Sequence, residues 1–236
     1  MRKKRGIEKD LELTAEDYVH AGIRAGLSTA PFVSGPLVEF FNMIIAPPLE
    51  KRRDAWMIEI YSRLKKIEEQ VEGFKIEELT KNENFISTLF YATQAAMRTH
   101  QQEKLQALRN AVINTANMPS TEENLQLMFL NLVDRYTPGH LILLELLDNP
   151  EQYGKRHTIK IADKTHRNSI TQLIDHTFPN FSNDPMVPQI LKDLTSDGLL
   201  TPDIENRDHR PIVRLSFTAT TKLGKKFLKF ISDETQ

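Results

Sequence analysis

Seven histidines, 32 carboxylates and 31 lysines and arginines are raw material for acid–base or metal chemistry, but their spacing assembles none of it. No two of His20, His100, His140, His157, His166, His176 and His209 stand four residues apart, and no His-Glu-x-x-His pattern occurs. In "HQQEKLQALRN", His100, Glu103 and Arg109 come nearest to an acid–base cluster. Glu103 beside lysine and arginine on a solvated helix face explains the same residues without chemistry. The nine glycines fall singly, and no phosphate-binding loop, dinucleotide fingerprint or serine nucleophile elbow is present. The absence of cysteine excludes disulfides, thiolate nucleophiles and cysteine-ligated metals. These residues describe a protein that is not an enzyme, with no catalytic residue, cofactor, metal site or small-molecule substrate expected.

Binding chemistry is better represented, though only locally. A formal net charge of −1 withdraws the simplest case for nucleic acid. From His209 to Ile231, however, Arg210, Arg214, Lys222, Lys225, Lys226 and Lys229 occur with no acid among them, and Lys155, Arg156, Lys160, Lys164 and Arg167 share their stretch with Asp163 alone. Arg207 and Arg210 fall in the polar loop "ENRDHRP", which would carry them to a minor groove or along phosphates, with Arg214 just beyond. The lysines of "TKLGKKFLKFI" read as the solvated face of a terminal helix whose core side is Leu223, Phe227, Leu228 and Phe230.

Positioning these groups requires two kinds of chain. Residues 1–13 read as a flexible basic arm. Residues 14–136 are helical in grammar, and a bundle of five or six helices is the economical fold. Within it, "TAEDYVHAGIRAGL" reads as a helix, Pro47-Pro48 is expected to end the apolar helix begun after Gly35-Pro36, and Trp56, Ile60, Leu64 and Ile67 mark the core face of the next. One long helix is expected from Asn82 to about Ala116, and another through "NLQLMFLNLVDRY".

After Thr137-Pro138 the order becomes helix, helix, helix, strand, polar loop, strand, helix, with an extra strand expected at "HTIKIA" between the first two helices. "LKDLTSDGLL", a third helix leaving through Gly198, and "FTATTKLGKKFLKFI", a strand running into a closing helix, resemble the winged helix-turn-helix superfamily over about 137–236. The resemblance implies a winged-helix domain with a small antiparallel β-wing, so the fold class expected is mainly α, a bundle followed by a winged helix. In DNA-binding winged helices the third helix enters the major groove. Here it offers Gln189 and Lys192 but also Asp184, Asp193 and Asp197, and three acids would repel phosphate unless Gln189 and Lys192 are the only side chains facing the groove. The first 136 residues resemble uncharacterised bacterial helical proteins, a likeness that implies no activity.

The stretch "GPLVEFFNMIIAPPLEKRR" stays open between three readings. Phe40, Phe41, Ile44 and Ile45 are too crowded to face one neighbour on a single helix, so they are core, a contact with a partner or second copy, or a conditional membrane contact flanked by Lys51, Arg52 and Arg53. Prolines and polar residues interrupt the apolar run from Ala25 to Leu49, so a constitutive membrane span is not expected, and the basic N-terminus lacks a secretory pattern. A cytoplasmic binding or regulatory protein is expected, contacting double-stranded DNA through wing and basic flanks while the bundle mediates oligomerisation or protein contacts. The alternative is a protein-interaction or membrane-associated effector acting through residues 25–49, with the winged helix as a docking module.

Overall fold

The computed structural model describes residues 35–117, 123–159, 170–179, 184–202 and 219–233, with side chains described from residue 48 onward except at 170–172. Ten helices run through these residues: α1 Gly35–Gln70, α2 Ile76–Leu79, α3 Glu83–Arg98, α4 Gln102–Asn117, α5 Glu123–Arg135, α6 Pro138–Asp148, α7 Pro150–His157, α8 Ile170–Thr177, α9 Met186–Ser196 and α10 Lys222–Ile231. The contacts divide the chain into two compact units, Met1–Lys81 with Ala96–Arg98, and Asn82–Ala95 with Thr99–Gln236.

In the first unit α1 is a single helix of 36 residues that runs through Pro47-Pro48 instead of ending there. Neither proline has an N–H, so the carbonyls of Met43 and Ile44 lose their usual partners, yet the backbone stays helical on both sides. Trp56, Ile60, Leu64 and Ile67 are buried, as their spacing of three and four predicts. The turn after α1 uses Gly73 at φ +85, and Glu68 receives the Ile76 N–H at 3.0 Å, holding the start of α2. Arg52 Nη1 donates to the Met97 carbonyl at 3.2 Å. Phe40, Phe41, Ile44 and Ile45 lie in the first part of α1, before residue 48, where only the backbone is described.

In the second unit the single helix expected after Asn82 is two. Thr99 Oγ1 accepts the Gln101 N–H at 3.2 Å and the Gln101 carbonyl takes the Leu105 N–H at 3.0 Å, so a local side-chain bond ends one helix while the next begins. The centre of this unit is aromatic. Phe129 of α5 meets Phe227 and Phe230 of α10 at ring-centroid distances of 5.3 and 5.6 Å, and Tyr136 meets Phe227 edge-on at 6.2 Å. Phe129, Tyr136, Phe227, Leu143, Leu144, Leu146, Ile190, Leu194 and Leu199 are almost fully buried. Helix α10 also packs on α4, so helices from either side of Tyr136 share this core.

The expected β-wing is not found among the described residues, and most of its expected second strand, "IVRLSFTAT", lies outside them. The described residues hold no strand, only one isolated antiparallel bridge between Leu200 and Thr220. Two hydrogen bonds make it, Thr201 N–H to the Ala219 carbonyl at 3.0 Å and Thr221 N–H to the Leu199 carbonyl at 2.9 Å. Its neighbours are committed elsewhere: Leu200 N–H bonds the Leu194 carbonyl at 3.2 Å and Ala219 N–H the Leu147 carbonyl at 3.4 Å, both helix ends. The described fold is therefore helical, and the expected class, a bundle with a β-winged domain, holds only for its helical part. Where a strand was expected at "HTIKIA", His157 is instead the last residue of α7 and Thr158 caps that helix in the left-handed region, φ 56, while residues 160–162 of that stretch lie outside the described residues. Among the described residues no helix is long and apolar enough to cross a membrane.

Candidate nucleic-acid interface

Helix α9 is anchored from its inner side. Asp184 starts it by accepting the Met186 N–H at 2.8 Å, and Val187, Ile190 and Leu194 are buried. Gly198, at φ +74, then turns the chain so that Leu199 enters the core. Leu199 runs close under α10: a Cβ placed on Gly224 would sit 2.2 Å from the Leu199 carbonyl oxygen, so only glycine fits there.

Two of the acids, Asp193 and Asp197, meet residues of α5, of α6 and of the link between them. Tyr136 Oη donates to Asp197 Oδ2 at 2.6 Å, and Arg135 pairs with the same carboxylate while its guanidinium lies 5.5 Å from the Tyr136 ring. Asp193 Oδ2 stands 3.4 Å from His140 Nε2, and Asp193 Oδ1 accepts the Gln189 side-chain amide at 2.7 Å. His140 stacks on Tyr136 with centroids 4.6 Å apart and rings within 8° of parallel. Its Nδ1 accepts the Thr137 N–H at 3.2 Å, which fixes the neutral tautomer with the proton on Nε2, toward Asp193. Pro138 occupies the first turn of α6, where its missing N–H costs nothing.

Burial sets the protonation of this cluster. Loss of hydration pushes the Tyr136 hydroxyl well above the usual tyrosine range, reinforced by its bond to Asp197. Burial likewise holds His140 below the ordinary imidazole value, only partly opposed by Asp193. Both groups act as polar joints between α9 and its supports.

With the acids engaged, the exposed polar residues of α9 are Gln189, Lys192 and Ser196, which share one stripe with Pro185 and Pro188. Gln189 and Lys192 lie three residues apart on this exposed stripe. Lys155 and Arg156 are exposed in the last turn of α7, where Arg156 pairs with Glu145 of α6 and His157 Nε2 lies 3.8 Å from the same carboxylate. Tyr153 is buried beside them, its hydroxyl pushed up to about 12 by desolvation and by Glu145. Arg207, Arg210 and Arg214 lie outside the described residues. Among the described residues no three His, Asp or Glu side chains gather as a metal site would require.

Sequence reasoning missed Tyr136 and His140 as the partners of the α9 acids. The signal available was the polar run Arg135-Tyr136-Thr137 just before Pro138, a helix start whose third residue is a histidine. Comparison of the chain with protein-family models, curated proteins and solved structures finds no match in any of the three.

Proposed function

We propose that the chain is a non-enzymatic binding and regulatory protein whose second unit contacts double-stranded DNA through the outer stripe of α9, with Lys155 and Arg156 of α7 as further cations. One observation carries this reading. Asp197, one of the three acids whose charge argued against phosphate, is bound by Arg135 and Tyr136, and Gln189, Lys192 and Ser196 are exposed on the outer stripe. The exposed Lys192 ammonium, and the Gln189 amide once it exchanges its bond to Asp193, match the donors that base edges and phosphates accept.

The test is fluorescence anisotropy of a labelled duplex with the full chain carrying Gln189→Ala or Lys192→Glu. Binding weakened about tenfold by either change, which is the size of one polar contact, supports α9 as the contact helix. Wild-type affinity in both variants removes α9 from the interface.

A protein-contact role for the outer side of α3 is favoured by Ile86 and Phe90, one helical turn apart and 40% and 64% exposed. In this reading α3 provides the self-association or partner surface that accompanies DNA contact.

A further inference from the structure

Helix α10 breaks the electrostatic conventions of a surface helix. Lys222, Lys225, Lys226 and Lys229 are all exposed, stand three and four residues apart, and so share one face with no acid anywhere on the helix. Lysines at those spacings repel one another, and Lys222 and Lys225 sit near the helix N-terminus, where the backbone dipole already disfavours positive charge. A helix needing only a wet outer side has cheaper solutions, including the acids that ordinarily occupy a first turn. Lys222, Lys225 and Lys226 form no ion pair among the described residues. The cleft lined by Lys225 and Lys229 also holds Glu145, which pairs with Arg156, and Asp148, which accepts the Thr220 hydroxyl.

The helix that carries the lysines is anchored at both ends. Thr221 Oγ1 accepts the Gly224 N–H at 3.0 Å at one end, and Asn110 and Asn114 hold the carbonyls at the other. Phe227, Phe230 and Ile231 are buried. Local rules broken on a well-anchored element point to a partner rather than to folding.

We infer that the outer face of α10 is a sequence-blind track for the phosphate backbone of a nucleic-acid duplex, separate from the contacts of α9. This rests on the DNA-binding reading above. Charge complementarity selects a polyanion. From Lys222 to Lys229 the helix rises about 10 Å, close to the axial length of about three base pairs, so the lysines meet successive phosphates of a strand. The aromatic residues of α10 are buried, leaving nothing on this face to stack on the unpaired bases of a single strand. An anionic membrane is a poorer fit, because amphipathic helices bind lipid by sinking their apolar side, and that side of α10 is already in the core.

The experiment measures the full chain and its Lys222→Gln/Lys226→Gln form against two duplexes of equal length and unrelated sequence, over a series of salt concentrations. Circular dichroism and thermal melting check that the variant is folded. The expected result is a slope of log affinity against log salt shallower by about 2 in the variant, equally for both sequences, from the release of two fewer counterions. Lys222→Arg/Lys226→Arg restores the wild-type slope. An unchanged slope with wild-type affinity in a folded glutamine variant overturns the inference while leaving DNA binding by α9 standing. No duplex binding by wild type at low salt overturns both readings. A slope change for one sequence only, or lysine-dependent co-sedimentation with phosphatidylserine vesicles without duplex binding, also overturns it.

Discussion

The side-chain amide of Asn114 lies 2.9 Å from the carbonyl oxygen of Phe230, and within 3.1 Å of those of Lys229 and Ser232. Asn110, one turn earlier on α4, reaches the Ile231 carbonyl at 2.8 Å. The last carbonyls of a helix have no partner of their own, and here a neighbouring buried helix supplies the donors. Replacing Asn114 by alanine strands these acceptors away from water. We expect a loss of about 1–3 kcal/mol, read as a lower denaturation midpoint at unchanged slope. A midpoint equal to wild type would contradict the capping role.

His140 gives the second unit a pH-dependent stability. Its folded-state value is lowered, chiefly by burial, so between that value and the ordinary 6.5 the unfolded chain binds more protons than the folded one. Stability is full above the unfolded value and is lost as pH falls through the folded one. Around the ring stand Thr137, Tyr136 and Arg135, with Asp193 and Asp197 on α9; Arg135 adds to the lowering and the two aspartates oppose it. Protonation also puts a hydrogen on Nδ1, which now accepts from Thr137. Urea denaturation at a series of pH values should show wild type losing stability below about pH 6.5 more steeply than His140→Gln. Parallel profiles would assign the acid sensitivity elsewhere.

Gly224 is a steric requirement. Alanine is the better helix former by about 1 kcal/mol, yet its methyl would lie 2.2 Å from the Leu199 carbonyl oxygen. Overpacking against backbone outweighs that gain, and Gly224→Ala is expected to be destabilising by about 1–3 kcal/mol in chemical denaturation. A variant as stable as wild type would mean that α10 shifts away from Leu199 at no cost.

Phe90 bears on the partner surface. If the outer side of α3 mediates self-association, Phe90→Ser lowers the weight-average mass seen by sedimentation at high concentration while leaving the thermal midpoint within a degree or two, since the side chain is 64% exposed. Identical sedimentation of both forms would remove α3 from self-association.

Helices announced themselves in the sequence wherever periodicity and caps agreed. "KLGKKFLKFI" alternates lysine with Leu, Phe and Ile at helical spacing, and Thr137-Pro138 and Gly198 mark real boundaries. Other features depended on competition between local bonds. Pro47-Pro48 is an ordinary stop signal, but α1 continues through it; Thr99 is an unremarkable residue, but its hydroxyl divides two helices. Helix α7 carried a usable sign, Asn149 capping the Gln152 N–H at 3.0 Å with Pro150 following, which the β-branched residues of "HTIKIA" obscured. For the candidate interface, side-chain types placed Gln189 and Lys192 on α9. The contacts of Asp197 with Tyr136 and of Asp193 with His140 bridge more than 50 residues, beyond the reach of any local pattern.

The most direct measurement is the anisotropy of a labelled DNA duplex titrated with the unmodified full chain at two salt concentrations. Saturable binding at low salt that falls steeply at the higher one is the predicted result, the signature of phosphate contacts. A flat titration at low salt would contradict DNA binding by this protein and turn attention to protein partners of α3.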